Sequence, residues 1–334
     1  MPWFDAHLDL SYLSLRGRDM TAKLDGVTGG AQPAALTFPS LAEADVRWAM
    51  GTIFINPGHR AESWGYANAS DPEGAHAAGV RQLNLYHDWE KQGLIRIVRT
   101  ADDLKAGPGE PLRVLILMEG ADAIRSPDEA TWWHQRGLRV VGMAWSPGTR
   151  YAAGDGMRDA RTGLTDLGRQ LVSKFDRLGV VHDLAHLDDN AAIDVLSLTD
   201  RPVINSHSAS RTLQGDGKLR HISDELLHAI ALRGGVVGLP LYSRFLTDTP
   251  NTRPTLERTI EHVLHMATVM RSRDGVGLGS DLDGGFNANE LPLNISRPAH
   301  YSKLTDALAR HGWSADNIAG FQHNNWLQFF RRVL

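Results

Sequence analysis

Short apolar runs and longer amphipathic segments alternate along the whole chain. Apolar runs of four to eight residues, bounded by glycine or charge, are typical of strands buried on both faces of a parallel sheet. Eight such runs are predicted as strands: 3–9, 50–55, 113–119, 139–145, 180–186, 202–207, 235–241 and 275–281. Eight strands that alternate with helices predict an α/β fold, a (β/α)8 barrel.

The segments between these strands have the periodicity of helices. Apolar residues recur at helical spacing over 165–178 and again over 255–272. The C-terminal stretch 301–334 predicts two further helices packed on the barrel. Because the chain has no internal repeat, low-complexity tract or linker, the sequence predicts a single domain over residues 1–334.

Three polar, glycine-rich stretches are long for ordinary connections. They cover about 15–40, 56–78 and 146–163. Active sites of such barrels are built from the loops that follow the strands. We therefore expect these stretches on the active-site face.

Composition excludes several classes of function. The net charge of −4 and the pI near 6.4 give no general attraction to nucleic acids or anionic membranes. No apolar run approaches the ~18 residues of a membrane-spanning helix, and the first residues do not resemble a signal peptide. We expect a cytoplasmic protein that binds neither nucleic acid nor membrane, with a homodimer as the commonest assembly.

Five of the predicted strands end in residues that can bind a metal or transfer a proton. One such residue means little, since a charged side chain often follows a buried strand where the chain reaches water. Five strands that end this way predict side chains converging at one rim of a barrel. The residues are His7, Asp9, Glu119, His186, His207 and Asp281. Cysteine is absent, and three imidazoles with three carboxylates suit a site for two divalent metals.

Spacing supports two pairs within this set. His7 and Asp9 alternate along one strand, so both side chains point to the same side. His186 and His207 close consecutive strands, which places them side by side on neighbouring strands.

The last strand offers a candidate acid–base group. Asp281 closes it, and a carboxylate there suits a general base that later acts as an acid. Asp283 alternates onto the same face, so spacing alone leaves open which of the two has this role.

These segments together resemble the membrane (renal) dipeptidase family of zinc peptidases, within the metal-dependent amidohydrolase barrels. The resemblance extends over nearly the whole chain, and its order and spacing make it specific. The segments that carry it are 5–10, 118–120, 163–168, 183–186, 206–209 and 279–284.

The resemblance implies two zinc ions and a role for each site residue. His7, Asp9 and Glu119 would hold one zinc, and Glu119 would bridge to a second zinc held by His186 and His207. Asp281 would be the acid–base group, working with a hydroxide that bridges the metals. Arg220 matches the arginine that binds the terminal carboxylate of the substrate, and a guanidinium suits that role.

One position departs from the family pattern. Typical members carry a substrate-binding histidine after the fourth strand, where this chain has Trp145. An indole donates one hydrogen bond but cannot accept or transfer a proton. The loop that follows contains Tyr151, a candidate substitute donor in substrate binding.

The sequence therefore predicts a zinc-dependent hydrolase of a dipeptide or a similar small amide. The first alternative is a related amidohydrolase acting on an N-acyl amino acid or a lactone, which Trp145 favours. The second is a non-catalytic binding protein that retains the barrel, against which the intact ligand set argues.

Overall fold

The centre of the protein is a curled sheet of parallel strands. The computed structural model describes residues 1–157, 162–215, 217–249 and 251–334. The strands are β1 (Trp3–Leu8), β2 (Val46–Phe54), β3 (Asn56–Pro57), β4 (Gly65–Tyr66), β5 (Ile95–Ile97), β6 (Leu112–Glu119), β7 (Leu138–Gly142), β8 (Val181–Asp183), β9 (Val237–Leu239) and β10 (Val276–Leu278).

Hydrogen bonds close this sheet into a ring of eight positions. The order β1-β2-β6-β7-β8 is parallel throughout. Isolated parallel bridges join β8 to residues 204–205 and those residues to β9, which pairs with β10. The Asp281 N–H then donates to the His7 carbonyl at 3.1 Å, which links the last position to the first. The eight predicted strands occupy these positions, so the predicted barrel is confirmed.

Helices surround the ring. They are α1 (Leu10–Leu15), α2 (Phe38–Glu43), α3 (Pro72–Lys91), α4 (Ala130–Gln135), α5 (Asp166–Leu178), α6 (Asp189–Leu198), α7 (Asp224–Leu232), α8 (Ser243–Leu246), α9 (Leu256–Val269), α10 (Ser302–Arg310), α11 (Ala315–Ala319) and α12 (Asn325–Val333). The threonines before α5 and α9 accept hydrogen bonds from N–H groups of the first turn, which fixes both helix starts near the predicted positions. Among the helices described, none combines the length and apolarity needed to cross a membrane.

The C-terminal helices cover one end of the barrel. The first predicted helix of this region is α10. A π-helical turn over Gly320–Asn324 joins α11 to α12, and together they form the second predicted helix. Phe4, near the start of β1, stacks with Trp326 and Phe330 of α12 at ring-centroid distances of 5.8 Å. The N-terminal end of β1 is therefore packed against aromatic rings of α12.

A buried ion pair fastens the 15–40 segment at the other end of the barrel. Arg18 Nη1 donates to Asp283 Oδ2 at 2.7 Å, and neither side chain is exposed. The same oxygen accepts from the N–H groups of Ala35 and Leu36, at 2.8 and 3.0 Å. This early segment therefore lies beside the loop that follows β10, on the face where it was predicted.

Several strands end earlier than predicted, and two of these differences affect residues of the candidate site. β8 stops at Asp183 and β10 at Leu278, whereas the apolar runs extended the strands to His186 and Asp281. Those two residues have φ values of 62° and 59°. A left-handed backbone is incompatible with a strand, so both side chains belong to the loops after the strands.

Candidate active site

The structure brings together all six residues predicted at the barrel rim. They are His7, Asp9, Glu119, His186, His207 and Asp281. We call them the rim cluster. β1 carries His7, β6 ends at Glu119, and Asp9 precedes the first residue of α1. All six side chains are buried.

Glu119 is at the centre of the rim cluster. Its Oε1 lies 3.2 Å from His186 Nε2, 3.6 Å from His207 Nε2 and 3.8 Å from His7 Nε2. The Nε2 atoms of His186 and His207 are 3.2 Å apart. Imidazole nitrogens converging on a carboxylate oxygen form the kind of donor set that binds zinc and similar cations.

A second group of ligand atoms overlaps the first. Atoms of His7, Asp9 and Asp281 lie within 4.8 Å of one another, as do atoms of His7, Glu119 and His207. His7 Nε2 is 4.0 Å from Asp281 Oδ1. The two groups of candidate ligands share His7, so all of these donors belong to one continuous site.

The carboxylates of this cluster are in an unfavourable environment without a cation. Asp9 and Asp281 are 5% and 7% exposed, and burial together with neighbouring carboxylates raises the pKa of each well above its usual value. Burial opposes ionisation of Glu119 too, but His7 and His186 outweigh it and lower its pKa. Asp9 Oδ1 and Glu119 Oε1 are buried without a hydrogen-bond partner among the described residues. Divalent cations would supply that missing partner, so the cluster fits a metal centre.

Two of the imidazoles are suited to act as neutral ligands. Burial lowers the pKa of His7 to about 4 and also holds the pKa of His207 well below its usual value. His207 Nδ1 lies 2.9 Å from Ser206 Oγ, leaving Nε2 facing the cluster. A ligating histidine commonly bonds a partner through its other ring nitrogen in this way.

Asp155 is a site residue that the sequence reasoning missed. Its Oδ2 lies 3.0 Å from His186 Nδ1, and its Oδ1 accepts from Ser146 Oγ at 2.6 Å. Burial disfavours the charged carboxylate, but His186 and Arg220 hold its pKa down at about 2. Asp155 is therefore a charged partner that orients His186. The available signal was an acidic residue between two glycines within the predicted active-site stretch 146–163.

A cavity of about 500 Å³ opens over the rim cluster, a size that suits a small molecule. Its lining combines the cluster with aromatic rings and one arginine. The lining residues are Asp9, Tyr12, Phe54, Asn56, Glu119, Trp145, Ser146, Asp155, His186, His207, Arg220, Tyr242, Phe245, Asp281, Gly284 and Gly285.

Arg220 is anchored in the wall of this cavity. Its guanidinium donates to Ser208 Oγ at 3.0 Å and to the His207 carbonyl at 2.9 Å, and it lies 4.7 Å from the ring centroid of Phe245. Its buried Nε has no hydrogen-bond partner among the described residues and is 3.7 Å from Asp155 Oδ2. A fixed guanidinium facing a cavity is suited to bind a carboxylate.

The remaining candidate residues differ in whether they reach the cavity. Trp145 lines the cavity, with its ring centroid 6.2 Å from that of His186. Tyr151 is fully buried and donates its hydroxyl to the Ile124 carbonyl, so it does not reach the cavity and its predicted role in substrate binding finds no support. Of the two aspartates that spacing left open, Asp283 is held by Arg18, whereas Asp281 lines the cavity.

A sequence model of the membrane dipeptidase family (peptidase family M19) matches residues 1–334. The chain belongs to this family. The resemblance inferred from the short motifs is thereby confirmed over the whole sequence.

Curated relatives that are named as dipeptidases agree with this. Human Dipeptidase 3 is 26% identical over 261 residues, which is 76% of this chain and 51% of the relative. Dipeptidase tcpJ of Claviceps purpurea is 27% identical over 202 residues, 60% of this chain and 46% of the relative. The chain spans about half the length of these curated relatives.

A solved structure covers the chain more completely. A metallopeptidase from Rhodobacter sphaeroides, liganded with a phosphinate mimic of the dipeptide L-Ala-D-Ala, is 25% identical with a TM-score of 0.84. The match covers 100% of this chain and 99% of that one. The crystal structure of dipeptidase AC gives 25% identity and a TM-score of 0.83, covering 100% and 98%. The whole described barrel is thus similar to these folds.

We expect Asp155→Ala to weaken zinc binding about 10- to 100-fold, because His186 loses the partner that orients it. Asp155→Asn should lose less, since its amide oxygen can still accept from Nδ1–H. Competition with a chromogenic chelator would measure the affinities. Asp176→Ala is the matched control, because it removes the carboxylate 2.9 Å from His182, a histidine outside the rim cluster. Equal zinc affinity in Asp155→Ala and the wild type would show that Asp155 does not support the site.

Proposed function

We propose that this protein is a dipeptidase that acts with two divalent metal ions, expected to be zinc. The observation that carries the proposal is the rim cluster, with a cation-binding donor set and an anchored arginine facing one cavity. Membership of the membrane dipeptidase family supports it. A ligand with a free carboxylate and an amide bond would bind the arginine through its carboxylate and bring its amide to the rim cluster.

His7, Asp9 and Glu119 would hold one ion, while Glu119, His186 and His207 would hold the other. Bound there, divalent cations supply Lewis acidity that polarises a carbonyl and lowers the pKa of water. The low pKa values of His7 and His207 keep both imidazoles neutral and available as ligands.

Arg220 would position the substrate. Its guanidinium would bind the C-terminal carboxylate, and its bonds to Ser208 and the His207 carbonyl fix its distance from the cluster. Anchoring one end of a small substrate holds its amide over the cluster, so little orientational freedom remains to be lost when the reaction begins.

Asp281 would move the proton. In the absence of cations, burial and the nearby carboxylates of Asp9 and Glu119 raise the pKa of Asp281 well above its usual value. A carboxylate that lines the cavity beside the cluster is placed to accept a proton and later donate it. The Asp281 carboxylate would take the proton of the attacking water and deliver it to the leaving nitrogen. Gly284 leaves room for it, since a Cβ at position 284 would lie 1.9 Å from Asp281 Oδ1.

The Rhodobacter sphaeroides metallopeptidase is liganded with a mimic of L-Ala-D-Ala. Dipeptides with a D-residue at the C-terminus are therefore the substrates to test first.

Trp145 favours a second candidate function, hydrolysis of an N-acyl amino acid or a lactone. Its indole faces the cavity and cannot accept a proton from a substrate amine.

Zinc-loaded protein should hydrolyse dipeptides, and Asp281→Asn should lower kcat by at least about a hundredfold while binding the same amount of zinc. An amide cannot accept the proton of water, whereas the five ligands remain. Rates on a dipeptide panel with L- and D-residues, and zinc content by mass spectrometry, would test this. If zinc content and activity fall in proportion, Asp281 is a ligand instead. Activity on N-acyl amino acids or lactones alone would favour the second candidate.

Arg220→Ala should lower kcat/KM for free dipeptides roughly ten- to a hundredfold, because a charge-assisted hydrogen bond contributes about 1.5–3 kcal/mol. Dipeptide amides, which lack the carboxylate, should lose much less. The measurement is kcat/KM for matched pairs such as Ala-Ala and its amide, in wild type and variant. Equal losses for acid and amide would show that Arg220 does not bind the carboxylate.

A further inference from the structure

One side of the cavity is formed by aromatic rings in edge-to-face contact. Tyr12 and Phe54 have ring centroids 5.4 Å apart at 88°, and Phe54 and Trp145 are 4.9 Å apart at 74°. Trp64 lies behind them, 5.2 Å from Tyr12 at 78°. We call these four residues the aromatic wall, of which Tyr12, Phe54 and Trp145 line the cavity.

The aromatic wall is a hydrophobic cluster separate from the main core of the barrel. Parallel pairing of β3 with β4 holds the turn that carries Trp64, and the Asn56 N–H donates to the Trp64 carbonyl at 3.3 Å. The Tyr12 hydroxyl already accepts a bond from Arg16, at 2.9 Å. The wall therefore presents a preformed apolar surface to a ligand.

The arginine and the Phe54 part of the wall lie over distant strands of the ring. Phe54 ends β2, and Tyr12 lies in α1, directly after β1. Arg220 donates to the His207 carbonyl, just after residues 204–205, which form the sixth position of the ring and lie four positions from β2. Trp145 follows β7 and lies two positions from that anchor, so Tyr12 and Phe54 form the part of the wall farthest from the arginine along the ring.

We propose that the aromatic wall binds the side chain of the substrate's N-terminal residue, so the enzyme prefers dipeptides that begin with a large apolar or aromatic residue. This inference rests on the proposed dipeptidase function. With the carboxylate on Arg220 and the scissile carbonyl at the rim cluster, the N-terminal residue extends toward β1 and β2, where Tyr12 and Phe54 lie. There an apolar side chain leaves water, and a ring can join the edge-to-face packing.

The test compares kcat/KM of the zinc-loaded enzyme on Phe-Ala, Leu-Ala and Gly-Ala. We expect Phe-Ala and Leu-Ala to exceed Gly-Ala roughly ten- to a hundredfold. Trp145→Leu and, as a second wall variant, Phe54→Leu should reduce the ratio of Phe-Ala to Gly-Ala several-fold. Phe245→Leu is the matched control on the Arg220 side, and it should leave that ratio unchanged even if overall rates fall.

The outcomes separate this inference from the function on which it rests. Equal kcat/KM for Phe-Ala and Gly-Ala in the wild type would overturn the role of the wall while leaving a dipeptidase. A preference that both wall variants retain, or that Phe245→Leu abolishes equally, would also overturn it. If zinc-loaded protein hydrolyses none of the dipeptides, the dipeptidase proposal fails and this inference fails with it.

Discussion

Three carboxylates buried beside three imidazoles at the barrel rim are the constraint on which the rest of the site depends. Asp9, Glu119 and Asp281 are each less than a tenth exposed, and like charges this close disfavour one another. Burying such groups costs free energy unless cations or hydrogen bonds compensate. The three buried carboxylates therefore favour a centre that is completed by bound metal.

Hydrogen bonds and an ion pair outside the rim cluster fix the position of Asp281. Buried Asp5 accepts from the Ser280 N–H at 2.8 Å and from the Tyr301 hydroxyl at 2.7 Å, which fixes the turn that carries Asp281. The Arg18–Asp283 ion pair holds the other side of the same turn. These contacts join residues more than 260 positions apart, so the folded barrel as a whole determines where the proton-transfer group lies.

Much of the fold could be predicted because short apolar runs mark strands that are buried on both faces, and the rim cluster because the ends of parallel strands meet at one rim. An apolar run does not reveal where the chain turns, so the predicted strands included His186 and Asp281, whose backbones are left-handed. Loop residues have no period at all. Asp155 and Tyr151 both lie in the stretch 146–163, and only tertiary contacts with His186 and Ile124 direct the first toward the cavity and the second away from it.

Anomalous diffraction at the zinc edge, from crystals of zinc-loaded protein, would show whether the rim cluster holds two cations. We expect two peaks about 3.5 Å apart. One should lie beside His7 and Asp9, the other beside His186 and His207, with Glu119 touching both. A single peak at full zinc loading, or a second peak away from these ligands, would contradict this expectation.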